Sequence, residues 1–473
     1  MAEVEFRQIE SDADVLAVAR TSSLAYPTGE FYSDATLPKL VKILVDRRKN
    51  SDKRLYGLFL KNVAHFEPGQ VGAVVIGAKP NPITSEIEHS EVQPSVEPSG
   101  GLVAHFLHRD FSVNLFGVER TLGGLAFVGV DLLHKKRGYA KTLVTQWLKL
   151  CDNQGQYLAA LWPFRPDFYT KMGFGVSSPF YDYTITPSVI PTTRRFAGNL
   201  KHKGAASFDV LRHLTVAQIS EITECQKRCA SATHGMLAVE EQNVSLFNDN
   251  GITRVLGFRD SEKVLRGYIA FKFVKVDHVG SDLNVVELIY ETTEALYAIL
   301  QFLRQQDDQV RFIKIKSQDT DFFRLLEDPR GANSSQQHVA SSQSVGMMYK
   351  VVNIVKLFSE YFIDRDFNGV DLTVLIRVQD TLTPEMNPEI VVSFVKGHAT
   401  VVKSGSETTV NANETTEATL DIGIAEFSTL VVGAIDLKTL IKYGKAIVVP
   451  ADKERVVTKA FWSEDLPKNS FHF

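Results

Sequence analysis

Apolar positions along the chain switch between a helical and a strand period. Val15, Leu16, Ala19 and Leu24 recur at helical spacing and predict a helix over 12–23. Leu37, Leu40, Val41 and Leu44 share one face and predict a second helix over 33–48. Strands over 55–60 and 71–78 read as a hairpin. An apolar run over 124–130 reads as a buried strand, followed by a basic, glycine-containing turn and a helix from Tyr139 to Leu150. A strand over 157–162, a short helix over 167–172 and a strand over 181–185 complete a first mixed α/β unit.

Breaks in this pattern divide the chain. The stretch 79–101 carries Pro80, Pro82, Pro94 and Pro98 with Glu86, Glu88, Glu91 and Glu97, too little apolar content to bury, and is expected as an exposed loop. Pro187, Pro191, Arg194 and Arg195 suggest a junction. Beyond it, strands over 253–258, 265–274 and 284–290 and a helix over 292–304 form a second α/β unit. The remainder has strands over 370–378, 389–396 and 399–402 and short helices over 424–430 and 436–443. The Thr- and Glu-rich run 404–419 reads as an exposed hairpin region. A chain of 473 residues exceeds one hydrophobic core, and the expected domains are 1–190, 191–360 and 361–473.

Composition narrows the partners. Hydrophobic residues make up 44% and charged residues 23%, as in an ordinary soluble protein. With 52 basic against 56 acidic residues the net charge is −4, which gives no basic footprint for nucleic acid. No apolar run reaches the roughly 18 to 20 residues that span a bilayer, and the acidic start MAEVEFRQIE lacks the apolar core of a signal peptide. Cys151, Cys225 and Cys229 are too few and scattered for a disulfide framework. A cytoplasmic protein without nucleic-acid or membrane partners is expected.

The most informative segment, 127–150, reads FVGVDLLHKKRGYAKTLVTQWLKL. An apolar strand runs into Lys135, Lys136, Arg137, Gly138, Tyr139 and Ala140, and an amphipathic helix follows directly. Main-chain N–H groups at a helix N-terminus, with no Cβ at Gly138, form an anion cradle suited to a pyrophosphate. The bland alternative is a basic helix start with a glycine kept for packing.

This segment resembles the cofactor motif R/Q-x-x-G-x-G/A of the GNAT superfamily of N-acetyltransferases, matched at Lys135, Gly138 and Ala140. Lys in the first position departs from the usual Arg or Gln. The resemblance implies acetyl-CoA as donor and no metal. The main chain of Phe127, Val128, Gly129 and Val130 would face its pantetheine arm, and Lys135, Lys136, Arg137, Gly138, Tyr139 and Ala140 its pyrophosphate. Pro163 and Phe164 join the expected cofactor-binding set.

Residues 161–175 read LWPFRPDFYTKMGFG. The Tyr-x-x-x-Gly-Phe arrangement looks like the closing motif of these enzymes, which implies that Tyr169 protonates the departing thiolate. A phenol with pKa near 10 suits that role; a packing tyrosine is the alternative.

Three features together resemble the enhanced intracellular survival family of acetyltransferases. These are the tandem second unit, the segment 325–353 (LLEDPRG … VGMMYKVVN) and a C-terminal region similar to sterol carrier proteins. The implied fold class is α/β (α+β): tandem GNAT-fold domains followed by a sterol-carrier-protein-like α+β domain. The resemblance further implies an amine acceptor (aminoglycoside-like, polyamine or protein lysine), a homo-hexamer, and the Phe473 carboxylate as base. Phe471 and Phe473 would anchor that end. A free α-carboxylate, with pKa about 3.3 to 3.7, is a weak base unless burial raises it or a water relays the proton. A frayed tail is the alternative.

Other constellations are discounted. His105 and His108 have odd spacing in a strand, which places them on opposite faces and argues against a shared metal or catalytic role. Cys225 and Cys229 sit at i, i+4 without a partner pair and read as buried thiols. His472 competes poorly with its neighbour's carboxylate. Tyr26, Glu30, Phe31, Tyr32 and Asp34 suit either a cation pocket or a solvated loop. Gly267 follows Arg266 without the glycine–helix arrangement, so the second unit is expected to have lost the cofactor. Rival readings are a longer-chain acyl-CoA acyltransferase and a non-catalytic lipid or acyl-CoA carrier.

Overall fold

The computed structural model describes residues 3–26, 37–48, 53–61, 101–192, 207–211, 214–238, 244, 247, 251–278, 280–330, 339–404, 407–408 and 416–470. The expected strand over 71–78, the loop over 79–100 and most of the hairpin region over 404–419 lie outside those residues, as do Glu30, Phe31, Tyr32, Asp34, His472 and Phe473.

The described chain divides into two compact units, and the division falls inside two strands and one helix. The first unit comprises Met1–Arg109 and Leu125–Trp147. It contains β1 (Val4–Gln8), α1 (Asp12–Ala25), α2 (Leu37–Arg48), β2 (Lys53–Leu60), most of β3 (Leu102–Leu115), the second half of β4 (Val118–Val130) and the start of α3 (Tyr139–Asn153). β2 runs antiparallel to both β1 and β3, with Leu55 opposite Leu107. Ser11 caps α1 by accepting a hydrogen bond from the Asp14 amide, and Asp12 and Asp14 face the positive end of the helix dipole. Val15 and Val18 of α1 and Leu40 and Leu44 of α2 bury against Leu55, Phe59, Leu102 and Leu107. Strand alternation puts Phe6, Tyr56 and Phe106 on the other face, where their rings stack and Phe106 meets Trp147 of α3 edge-on.

The second unit comprises Asp110–Gly124 and Leu148–Phe473. It continues through β5 (Leu158–Leu161), α4 (Pro166–Thr170), β6 (Gly175–Val176), β7 (Phe180–Ile185), β8 (Ser207–Leu211), α5 (Val216–Ala232), β9 (Arg254–Arg259), β10 (Leu265–Lys275), β11 (Ser281–Tyr290), α6 (Thr293–Arg304), β12 (Val310–Ser317), β13 (Val339–Ser344) and β14 (Met348–Val351). A seven-stranded sheet has the order β13-β7-β12-β11-β10-β9-β8. α5 begins with a Thr215/Gln218 capping box and covers one face through Ile222, Cys225 and Cys229. α6 covers the other through Leu296, Ile299, Leu300 and Leu303.

One expectation is corrected here. The strand at 181–185 does not complete the first unit. β7 lies between β12 and β13, antiparallel to both, and buries Tyr183 and Ile185 in the core under α6. The late strand β14 runs instead between β5 and β6. Two strands have thus exchanged sheets, and neither departs from an ordinary strand pattern in sequence.

The last part of this unit contains β15 (Leu372–Gln379), β16 (Ile390–Val395), β17 (His398–Ser404), β18 (Glu407–Thr408), β19 (Ala418–Gly423), α7 (Ile424–Val431), α8 (Leu437–Lys442), β20 (Ala446–Val449) and α9 (Glu454–Phe461). The sheet order is β18-β17-β16-β15-β19-β20, with β15 and β19 parallel. Phe358, Phe367, Phe394, Phe427 and Phe461 form the aromatic centre of its core. No helix among the described residues is long and apolar enough to cross a membrane.

Candidate functional site

In the first unit, β4 runs through Phe127, whose φ of 52° is left-handed. For a residue with a Cβ that conformation is unfavourable by about 1 to 2 kcal/mol, so its surroundings must hold it. The Phe127 ring stacks on Tyr26 at 5.6 Å and 7°, and the tilted ring of His105 lies 5.2 Å from it. The Tyr26 hydroxyl donates to the Val128 carbonyl at 2.5 Å. Gly129 is buried, while Phe127, Val128 and Val130 are half-buried.

After the strand, Asp131 accepts from the Leu133 amide and pairs with His134 Nδ1, both at 2.9 Å, and so fixes a single 3-10 turn. Lys136 and Gly138 are left-handed, with φ of 62° and 85°. Lys135, Lys136, Arg137 and Gly138 are exposed, and among the described residues none of the three cations has an ion-pair partner. The helix starts at Tyr139, as expected, with Tyr139 buried and Ala140 half-buried. Its first N–H groups lack intrahelical acceptors by construction. Open N–H groups beside unneutralised cations fit a pyrophosphate. Farther along α3, Trp147 donates to His108 Nδ1 at 3.0 Å and docks the helix on the sheet.

In the second unit, Pro163 is half-buried and Phe164 exposed, ahead of α4. Tyr169 is 3% exposed, ringed edge-on by Phe164, Phe168 and Phe174. Among the described residues its hydroxyl makes no hydrogen bond. Burial pushes its pKa up to about 12, so the phenol stays protonated at any ordinary pH.

Phe473 lies outside the described residues, but the segment before it is firmly placed. The Lys468 amide donates to the His234 carbonyl at 2.8 Å. The Asn469 amide donates to Gln318 Oε1 at 2.5 Å, and Asn469 Oδ1 accepts from the Leu237 amide at 3.3 Å. Lys468, Asn469 and Ser470 line a pocket of about 240 Å³ with Phe180, Tyr290, Ser317 and Phe322. It opens where the pairing of β11 with β12 ends, at Asn284 opposite Lys314. Gly267 sits mid-strand in β10, where a Cβ would meet the Ile289 carbonyl at 2.9 Å; it is a packing glycine.

His105 and His108 do lie on opposite faces. His105 Nε2 is 3.0 Å from Ser22 Oγ of α1, and His108 meets Trp147 of α3. Cys225 and Cys229 are free and buried. Sequence reasoning missed the contacts of Ser22 and His105, and of Gln318 and Asn469. The sequence patterns used for the other elements carry no signal for them, because each contact joins distant parts of the chain.

Two family models described as "Acetyltransferase (GNAT) domain" match the chain, over residues 91–177 and 234–351. No curated protein matches it. Among solved structures, a probable N-acyltransferase of unknown function from Enterococcus faecalis V583 aligns with a TM-score of 0.71 at 15% identity. A GCN5-related N-acetyltransferase from Anabaena variabilis aligns at 0.69 and 15%, and Eis1 from Mycobacterium abscessus at 0.70 and 15%. In all three cases the alignment covers 100% of both chains. At such identity the likeness is one of fold: tandem GNAT units in a mixed α/β chain.

Proposed function

We propose that the chain is an N-acetyltransferase that moves the acetyl group of acetyl-CoA to a primary amine by direct attack in a ternary complex. The observation that carries this reading is the segment from Phe127 to Ala140. There a left-handed strand residue, two left-handed loop residues and three cations without an ion-pair partner among the described residues precede the helix N-terminus. Lys135, Lys136 and Arg137, with the main chain of Gly138, Tyr139 and Ala140, would hold the pyrophosphate, and the main chain of 127–130 the pantetheine arm. Pro163 and Phe164 would flank the donor.

The thioester supplies an activated acyl carbon. As the amine's C–N bond forms and the C–S bond breaks, Tyr169 gives its proton to the departing sulfur. The Phe473 carboxylate takes the proton that the amine sheds. The hydrogen bonds of Lys468 and Asn469 support the reading in which the chain end acts as the base rather than frays. The acceptor class (aminoglycoside-like, polyamine or protein lysine), a cytoplasmic setting, the homo-hexamer and the sterol-carrier-like third region follow from the family resemblance. On this reading the second GNAT-like region, 191–360, lacks a cofactor of its own.

Thiol release from acetyl-CoA, measured against a panel of aminoglycosides, polyamines and lysine peptides, tests the proposal. Saturable release with at least one amine is expected. No release across the panel would overturn it, and preference for a long-chain acyl-CoA would reassign the donor.

A further inference from the structure

We propose that Tyr26 and His105 are positioning residues that hold the donor-facing main chain of 127–129 in its working conformation. The inference rests on the reading that this strand holds the donor.

A left-handed, non-glycine residue in the middle of a strand does not persist by itself. At Phe127 two aromatic neighbours enclose the side chain, Tyr26 from the end of α1 and His105 from β3. Tyr26 also ties down the adjacent peptide by donating to the Val128 carbonyl. In a trans peptide the carbonyl and the following N–H point opposite ways. Fixing the Val128 carbonyl toward Tyr26 therefore turns the Gly129 N–H away from it. The next residue has no freedom either, since a Cβ on Gly129 would lie 2.3 Å from His105 Nε2. His105 is a wedge behind the strand, backed by Ser22 Oγ at 3.0 Å, and Ser22 Oγ itself donates to the Val18 carbonyl at 2.7 Å within α1.

His105 acts through shape. It is fully buried, and burial lowers its pKa to about 3, opposed only in part by the Phe127 backbone, so it is neutral wherever the enzyme works. Neither residue is needed for proton transfer in the proposed reaction. Both belong to the first unit and grip three consecutive residues of β4 from the side of α1 and β3.

The test uses the full chain. Tyr26→Phe keeps the stacked ring and deletes one hydrogen bond. The expected result is a fall in kcat of about tenfold, with the Kd for CoA and the acceptor KM within about twofold of the parent. The carbonyl stretch of bound carbon-13-labelled acetyl-CoA should move toward its value in free solution. A hydroxyl that only stabilised the fold would lower the melting temperature and leave kcat per folded molecule and the stretch unchanged. Gly129→Ala should cost kcat about a hundredfold by displacing the strand. Adding His105→Ala should recover about tenfold, because the ring that the new methyl meets is gone.

An unchanged kcat and carbonyl stretch in Tyr26→Phe, or a Gly129→Ala defect that His105→Ala does not relieve, would overturn the inference. Either result, in a parent that turns over acetyl-CoA, leaves the proposed function standing. A parent that binds no acetyl-CoA removes both.

Discussion

Burial does two things at Tyr169: it packs the ring among Phe164, Phe168 and Phe174, and it raises the pKa to about 12. Because the shift is upward, the proton-donating form persists as pH rises and is lost only as pH passes about 12. On the proposed mechanism kcat should climb with pH as the amine and base lose protons, then stay level to at least about pH 10. Tyr169→Phe should lower kcat by about 10² to 10⁴ while CoA binding is retained. A descending limb centred below pH 10, or a Phe variant of full activity, removes Tyr169 from the role of acid. Tyr169 and Gly138 stand out in the sequence because each lies in a short local pattern; the structure adds the burial of the first and the left-handed φ of the second. Tyr26 was read only as one of several pocket residues, since its bond to Val128 spans 102 positions.

Strands and helices were legible for the same reason, as α1, α3, α6, β9 and β10 show: each forms where its periodicity predicts. Partner choice was not. β7 and β14 are short apolar strands that either sheet would accept by pattern alone, and their exchange is decided by non-local packing. β14 also carries Lys350, fully buried and 2.7 Å from Asp380. Asp380 further accepts from the Leu382 and Thr383 amides, the Thr383 hydroxyl and Asn387 Nδ2. Burial alone would push the Asp380 pKa up, but Lys350 and these donors outweigh it and hold it below the usual range. Its stabilising contribution is therefore present above the unfolded value, about 3.9, and lost as pH falls through the lowered folded value. Lys350→Met leaves a buried carboxylate without its cation and should destabilise the chain by about 3 to 5 kcal/mol at pH 7.5 in urea unfolding. The sign of the pH dependence then reverses, because the stranded carboxyl takes up a proton more readily folded than unfolded. The deficit should shrink at pH 5; a loss below about 1 kcal/mol, or one indifferent to pH, refutes this account.

Across the whole molecule, the C-terminal segment is the part that sequence patterning describes least well. As a chain end it reads by default as frayed, yet Pro467 packs so closely on Gly235 that a Cβ there would meet it at 2.4 Å. Asn469 is 4% exposed and hydrogen-bonded at both its amide and its side chain. Those partners, Gln318 and Leu237, belong to the second α/β half, so the third region of the chain is tied back to it near the pocket by β11 and β12. The proposed base lies four residues beyond Asn469, the last residue with a described hydrogen bond, a reach of at most about 14 Å. Two alterations separate anchoring from proton transfer. Asn469→Ala strands the Leu237 amide, an effect of about 1 to 3 kcal/mol felt first as local release of the tail. It should reduce kcat with little change in CoA affinity. Adding a short Gly-Ser extension after Phe473 leaves every described anchor in place and moves only the carboxylate. If that group is the base, the extended chain should lose about a hundredfold or more in kcat and still bind CoA. Should the extension be harmless while Asn469→Ala is not, the tail serves to shape the pocket and the proton leaves the amine by another route.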